Sequence, residues 1–444
     1  MRMSARQNVP AVGVGLLGLG VVGSAVAKAV LSQDESKQRE IPLALVCAVV
    51  RDLHKKRSID LDQSILSDDP QAVIGNTSVG IVVELMGGEY PAFDYIASSL
   101  EAGKHVVTAN KEVMCKRGDE LLRIAVDNNV ELQYEASVGG GIPIIGPLTN
   151  DLAANRIQSI RAIINGTTNF MLTKMAHEAA DFDAVLAEAQ SLGYAEADPT
   201  ADVDGFDPMY KLSVLTRLAY HTEMPIDGIH REGIRDIHVK DFRYASELGY
   251  TIKLLAAAQT HGESGLLARV HPALIPLEVP MAAVNGVLNA VEVEGDLVGS
   301  LWFQGPGAGA EPTASAVVGD ILKITESSGN NSYRSAAFAS FKISSMDDHV
   351  CQYYMRLTAS DQPGVLANVA RVLGDAGISI SAVLQKDTDI EKTQADLVIM
   401  THPAREANMQ TAVSLIRKLE TVIRMDNLIR VENYTGRLQK RTLL

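Results

Sequence analysis

Residues 12–26 read VGVGLLGLGVVGSAV, and the spacing G-x-G-x-x-G occurs in them twice. Gly13, Gly15 and Gly18 make one register; Gly18, Gly20 and Gly23 make the other. A third reading competes with both, because Arg2 and Arg6, an apolar run and the tripeptide Ala25-Val26-Ala27 imitate a secretory leader with its cleavage site. A glycine loop receives phosphate only where a strand ends and a helix begins, since the helix N-terminus supplies unpaired N–H groups and a partial positive charge. Polar MRMSARQN precedes Gly13, whereas the apolar run 11–17 precedes Gly18 and the helix-forming SAVAKAVL comes after Gly23. The second register is therefore the physical one. Gly18 permits the tight turn, Gly20 lets backbone approach a pyrophosphate, and Gly23 lets the helix pack closely on the strand. Gly18, Gly20, Val22 and Gly23 are the expected cofactor contacts. A cleaved leader would share no structural unit with the residues beyond it, yet a second apolar strand, IPLALVCAVV at 41–50, comes next, as a nucleotide-binding unit requires.

Further strands read as VGIVVELMGG (79–88), GKHVVTANK (103–111) and NVELQYEASVGGG (129–141), separated by helix-like segments 92–102 and 116–128. Strands alternating with helices predict the α/β class, with a Rossmann-type doubly wound parallel sheet. Ligands of such sheets collect beyond the carboxyl ends of the strands, so Arg51, the 86–88 loop, Lys111 and the 137–141 loop should converge on one crevice. The second strand ends in VVRD, which puts Arg51 where an acidic residue would accept bonds from an adenosine ribose. Arginine there suits a 2′-phosphate and predicts NADP, with NAD tolerated. An ordinary exposed loop arginine beside Asp52 is the alternative.

Composition excludes several classes. A chain of 444 residues holds two or three domains. Its 46% hydrophobic and 21% charged content is that of a soluble globular enzyme, and no uninterrupted apolar run reaches the ~18 residues needed to span a bilayer. A net charge of −14 would repel a phosphate backbone, which argues against nucleic acid as a partner. Cys47, Cys115 and Cys351 are far apart and lack C-x-x-C spacing, which fits a reducing, cytoplasmic compartment. The ten histidines show no H-E-x-x-H cluster, so no transition-metal site is expected.

From about 151 the pattern changes. The densest chemistry lies in INGTTNFMLTKM (164–175) and SLGYAEADPTADVDGFDPMYKL (191–212). Glu196, Asp198, Asp202, Asp204 and Asp207 stand too close together for a dry core, so the stretch is either a solvated loop or a site for a positively charged ligand group. Asp207 before Pro208 predicts a helix start with Asp207 as N-cap, and Lys211 stands four residues on. That spacing makes either a surface ion pair or, if Lys211 is partly buried, a usable proton donor. GPGAG at 305–309 introduces a helix over 313–325 that re-enters the first domain, and Gly307 is the candidate for returning a backbone amide to the cofactor. The expected domains are 1–150 for the dinucleotide, joined by 306–325; an α+β substrate and dimerisation domain over 151–305; a Ser- and Asn-rich linker over 326–349; and a third domain over 350–434. The third domain reads strand, helix, strand, strand, helix, strand, the order of a ferredoxin-like fold.

Taken together, GLLGLGVVG, HVVTANK, EASVGGGIP, INGTTNF, GYAEADPTADVDGFD with Lys211, and GPGAGAEPTASAVVGD are similar to the homoserine dehydrogenase family, in family order over roughly residues 12–325. The resemblance implies interconversion of L-aspartate 4-semialdehyde and L-homoserine with NAD(P)H, in threonine and methionine biosynthesis. It implies Lys211 as proton donor and Lys111 as a second active-site lysine near the nicotinamide, with Glu196 and Asp207 as substrate-binding carboxylates. It also implies a monovalent cation, Na or K, held by Glu135, Val138, Gly140 and Ile142 through backbone carbonyls and one carboxylate. The stretch ASDQPGVLANVARVLGDAGISI (359–380) resembles an ACT domain. That implies an amino-acid effector such as L-threonine, with its carboxylate on the helix opened by Pro363 and Gly364 and its amino group near Asp361, or else a dimerisation module without ligand. The leading expectation is a feedback-regulated homo-oligomer, dimer or tetramer; a dehydrogenase for another small amino-acid aldehyde and a catalytically silent sensor are the alternatives.

Overall fold

The computed structural model describes residues 11–32, 42–262, 265–326, 341–389 and 393–434. Arg2, Arg6 and residues 327–340 of the expected linker lie outside them. The described residues form two compact units, one drawn from Met1–Arg156, Ser213–Glu223 and Phe303–Ala339, the other from Ile157–Leu212, Met224–Trp302 and Ser340–Leu444.

In the first unit β1 (Val12–Leu17) is buried from Gly13 onward, each fully buried Val or Leu contributing about 1.5–3 kcal/mol. It ends at Gly18, whose φ of +106° is closed to most side chains, and α1 (Val21–Leu31) starts three residues later with Gly20 at its N-cap. A Cβ on Gly23 would lie 2.3 Å from the Gly18 carbonyl oxygen, so only glycine lets this helix return so tightly against the turn. Gly13 and Gly15 of the competing register lie inside β1. The chain continues through β2 (Leu43–Val49), β3 (Leu66–Ser67), α2 (Gln71–Ile74), β4 (Ile81–Glu84), α3 (Ala92–Glu101), β5 (His105–Thr108), α4 (Lys111–Asp127) and β6 (Leu132–Gln133). These strands pair in parallel in the order β3-β2-β1-β4-β5-β6, which is the dinucleotide-binding order with its switch point between β1 and β4.

Three local expectations are corrected. Helix α4 begins at Lys111 rather than 116, because the Asn110 side chain accepts the Val113 N–H and caps it there. The strand expected over 129–141 shrinks to Leu132–Gln133, since the next turn leaves the sheet: the Glu135 N–H donates to Asp320 Oδ2 (2.7 Å). Asp320 sits on the returning helix Ala310–Glu326, longer than the 313–325 expected, which sets Ala314, Val317, Ile321 and Ile324 into one core with Val14, Leu16, Val26 and Ile81.

The second unit begins with β7 (Ile157–Ile163), α5 (Gly166–Glu178), α6 (Phe182–Ser191), α7 (Thr200–Val203) and α8 (Phe206–Tyr220), the last turns of α8 belonging to the first unit. Then come β8 (Ile229–Arg231), α9 (Val239–Glu247), β9 (Tyr250–His261), β10 (Gly265–Pro276), β11 (Leu288–Gly295) and β12 (Gly299–Pro306), with the returning helix, α10, next. After it stand β13 (Lys342–Ile343), β14 (Val350–Ser360), α11 (Val365–Asp375), β15 (Ile380–Asp389), β16 (Gln394–Thr401), β17 (Ala404–Arg405), α12 (Glu406–Ile416) and β18 (Val422–Val431). Strands β14 to β16 and β18 pair in the order β18-β14-β16-β15, with the apolar faces of α11 and α12 on a core that includes Tyr353, Met355, Val369, Leu373, Ile399 and Met409.

This C-terminal module continues the sheet of the second unit. Strand β18 pairs in parallel with β10, so the two sheets are one sheet of twelve strands, and β13, within the expected linker, also pairs with β10. Buried charge marks the seam. Arg430 donates to Glu406 Oε1 (2.6 Å) and Oε2 (2.8 Å) and to Glu232 Oε2 (2.8 Å). Two residues on, Glu432 accepts from Arg161 Nε (2.7 Å) and Arg269 Nη2 (2.8 Å). Burial by itself would raise the Glu432 pKa, but Arg269 and Arg161 outweigh it and hold the carboxyl down to about 2.

Replacing Glu432 by Gln strands two buried guanidiniums and is expected to cost about 3 kcal/mol of unfolding free energy at pH 7, measured by chemical denaturation. The wild-type carboxylate contributes its stability above its unfolded pKa of 4.5 and loses it as pH falls towards 2, so the gap between wild type and Glu432→Gln narrows over that window.

Candidate active site

The residues expected to meet a dinucleotide belong to the first unit. The amides of Val21, Val22 and Gly23 occupy the first turn of α1, where no intrahelical acceptor exists, and a Cβ on Gly20 would meet nothing within 4 Å. Val22 packs its half-buried side chain on the sheet core, which leaves its backbone for a ligand. Arg51 lies exposed just past β2, and the Asp52 carboxylate beside it is turned into its own loop, accepting the His54 N–H (2.8 Å). Lys111 is the first residue of α4, where the helix macrodipole opposes a cation by about 0.3–1 kcal/mol, so helix stability does not explain its place.

At the end of β4 stands Glu84, wholly buried and not singled out by the sequence motifs. It accepts from the Met86 N–H (2.6 Å) and from Thr108 Oγ1 (2.5 Å). Thr108 in turn accepts the Asn110 N–H (3.0 Å), and Asn110 Nδ2 reaches the Gly88 carbonyl (2.7 Å). A lone carboxylate at the end of the apolar run VGIVVELM was the available signal.

The residues expected around a cation fold into one buried turn, but the carboxylate of Glu135 serves another end. It accepts the N–H groups of Ile144 (2.6 Å), Ile145 (2.7 Å) and Gly146 (2.8 Å), with Lys323 Nζ at 3.3 Å. The carbonyls of buried Val138 and Gly140 accept no hydrogen bond among the described residues, so the oxygen set that fits a hard monovalent ion is backbone alone. Gly140, at φ +58°, is pressed against Gly307: a Cβ there would lie 2.5 Å from the Gly307 carbonyl oxygen, and the Gly141 N–H donates to the Pro306 carbonyl (3.2 Å). Among the described residues no group of three or more His, Cys, Asp and Glu could hold a metal.

A second cluster of candidate residues lies in the second unit, at the end of β7. Lys211 Nζ donates to the Ile164 carbonyl (2.8 Å) and to Asp207 Oδ2 (2.7 Å), with 12% of its side chain exposed. Asp207 is the second residue of α8, not its N-cap, because its buried carboxylate is taken by Lys211 and by Asn165 Nδ2 (2.9 Å). Asn165 gives its other N–H to Asp202 Oδ1 (2.7 Å), while its oxygen caps α5 by accepting the Thr168 N–H (2.8 Å). Burial first, and the Asp207 charge with it, raise the Asp202 pKa against the Asn165 bond. Sequence reading missed Asn165 as the hub, although its place three residues before Thr168 at a helix start was the signal. Glu196 is not part of this cluster: it is exposed on the loop before α7, its carbonyl accepting from Gln190 Nε2 (3.0 Å).

In the C-terminal module Gly364, at φ +94°, is the cap of α11, which starts at Val365, so Pro363 precedes the helix instead of opening it. Asp361 is exposed beside it, its N–H donating to the Thr393 carbonyl (2.8 Å).

Comparison with known proteins agrees with this architecture. Family models described as Homoserine dehydrogenase, as Homoserine dehydrogenase, NAD binding domain, and as ACT domain match residues 143–322, 18–135 and 353–421. The homoserine dehydrogenase of Neisseria gonorrhoeae is 40% identical over 95% of this chain and 99% of its own. The crystal structure of a homoserine dehydrogenase from Thiobacillus denitrificans superposes with a TM-score of 0.88 at 40% identity, covering 96% of this chain and 99% of that one. A hyperthermophilic archaeal homoserine dehydrogenase in complex with NADPH matches with a TM-score of 0.61 at 28% identity, covering 71% of this chain and 98% of that one.

Replacing Asn165 by Ala is expected to cost about 1–2 kcal/mol through the lost cap, and Asn165→Ser to restore most of it. Neither variant bridges Asp202 to Asp207, so both should lose turnover, a split readable from denaturation and steady-state kinetics on the same samples.

Proposed function

The chain belongs to the homoserine dehydrogenase family, and from that premise we propose how its residues divide the interconversion of L-aspartate 4-semialdehyde and L-homoserine. The activity is an NAD(P)-dependent oxidoreduction at a CH–OH carbon. Bound NAD(P)H supplies the hydride, which leaves negative charge on the former carbonyl oxygen. Lys211 stabilises that charge and gives the oxygen its proton, and the observation that carries this role is its ammonium, partly buried and suspended between the Ile164 carbonyl and Asp207. Asp207 orients Lys211, the exposed carboxylate of Glu196 takes the substrate's amino group, and Lys111 serves beside the nicotinamide.

NADP is the preferred cofactor in this reading. Arg51 stands exposed where a 2′-phosphate would lie, with Asp52 engaged elsewhere, and the archaeal relative is complexed with NADPH. A sodium or potassium ion is held by backbone carbonyls of Glu135, Val138, Gly140 and Ile142, and would brace the turn that carries Gly307. The exposed cap of α11, with Asp361 beside it, receives an amino-acid effector, L-threonine being the first choice. A cytoplasmic homo-oligomer completes the proposal, supported by three buried free cysteines and by the edge strand β12 with half-buried Leu301, Trp302 and Phe303.

Purified protein is expected to reduce NADP in a homoserine-dependent way, followed at the reduced-cofactor absorbance band, and more efficiently than NAD. Lys211→Ala should lose about 10²–10⁴-fold in kcat with cofactor affinity retained, and near-wild-type turnover would remove it as donor. Arg51→Ala should erase the preference for NADP; an unchanged ratio of efficiencies rejects that role. L-threonine should slow the enzyme, and Asp361→Ala should relieve the inhibition without altering the uninhibited rate.

A further inference from the structure

The buried carboxylate of Glu84 has no cation partner among the described residues, and burial raises its pKa against the bonds from Thr108, Met86 and Gly87. A carboxylate is costly in such a place, and an apolar residue would be the stabilising choice at the end of a fully buried strand. Instead, the carboxylate joins two chain segments. One oxygen accepts the N–H groups of Met86 (2.6 Å) and Gly87 (3.4 Å), fixing the loop after β4. The other accepts from Thr108 Oγ1, opposite Glu84 in the parallel pair of β4 and β5. From Thr108 the bonds continue to Asn110, which caps α4 and ties back to the Gly88 carbonyl, and the next residue is Lys111. The circuit from Glu84 to Asn110 and back to Gly88 is closed.

We propose that Glu84 is a positioning residue for the reaction: through Thr108 and Asn110 it locks the 85–88 loop and the 108–111 turn to each other, and so sets where Lys111 presents its amine. The proposal rests on the assignment of Lys111 to the active site. Loop 86–88 carries two adjacent glycines with no side chain of their own, and the buried carboxylate beneath it holds the amides of Met86 and Gly87 directly. A misplacement of the amine by about an ångström is enough to cost up to ~10²-fold in turnover.

The test uses the full-length enzyme. Thr108→Val removes the hydroxyl at nearly constant volume, and Glu84→Met removes both acceptor oxygens at similar side-chain length; either serves if the other fails to fold. Each is expected to lower kcat by about ten- to a hundredfold, with cofactor Kd changed less than about threefold, and Thr108→Ser to return most of the loss. In a Lys111→Ala background Thr108→Val should cost nothing further, because the effect passes through that lysine. Wild-type kcat in both variants, with only a lower melting temperature, overturns the positioning role even where Lys111→Ala is inactive. A Lys111→Ala enzyme with wild-type turnover overturns the assignment of Lys111 itself, and a Thr108→Val loss that persists unchanged in that background shows that Glu84 does not act through it.

Discussion

The ammonium of Lys211 hangs from two acceptors, the Ile164 carbonyl at the end of β7 and the Asp207 carboxylate one turn earlier on α8, and the surrounding elements of the second unit keep both in place. Asp207 and Asp202 are buried or nearly so, and their charges oppose each other. Asn165 resolves the conflict because its oxygen is committed to capping α5, which leaves only the NH2 group to face the carboxylates. An aspartate at that position would cap the helix equally well and would ruin the cluster. The residue type is thus fixed by two demands at once, one of helix geometry and one of electrostatics.

The same double demand explains how far the sequence could be read. The glycine register, the parallel strands and the β-α-β-β-α-β module were legible because period and turn chemistry are local properties of the chain. Lys111 and Lys211 stood out only through motifs similar to a known family, because local spacing alone reads each as a surface lysine. Boundaries failed where a distant partner decided them: α4 starts at Lys111 because of the Asn110 cap, and β6 stops at Gln133 because Asp320, far along the chain, takes the Glu135 amide. Asp207 reads as an N-cap by its neighbour Pro208, yet a buried lysine and an asparagine claim its oxygens first. Tertiary competition for a single carboxylate leaves no trace in local spacing.

Sheet continuity is the clearest case of information absent from pattern. Strand β18 and the residue just past it carry Arg430 and Glu432 on one face, which in isolation suggests an exposed edge strand. Both are buried because Glu232, Glu406, Arg161 and Arg269 arrive from four other segments of the chain to meet them. The pairs alternate in sign along the strand, Arg430 seeking carboxylates and Glu432 seeking guanidiniums, so a slip of β18 by two residues against β10 would set like charges together in a dry interior. Charge therefore fixes the register of the seam. Joined in this way, the C-terminal module shares backbone hydrogen bonds with β10, through β14 and β18.

Buried charge in the first unit obeys a different rule. At the seam, carboxylates meet side-chain cations; in the first unit Glu84 meets the backbone N–H groups of Met86 and Gly87, and Glu135 meets those of Ile144 to Gly146, with the Lys323 ammonium beside them. The difference lies in the part each must hold. A strand's register can be fixed through side chains, but the loop at 86–88, with adjacent Gly87 and Gly88, offers few to grip. A carboxylate beneath such a loop grips the peptide groups themselves, setting the backbone without placing any side chain on the surface that a nucleotide must approach. Flexibility of sequence and rigidity of shape then coexist in one loop, which is the condition a phosphate- and nicotinamide-binding surface imposes.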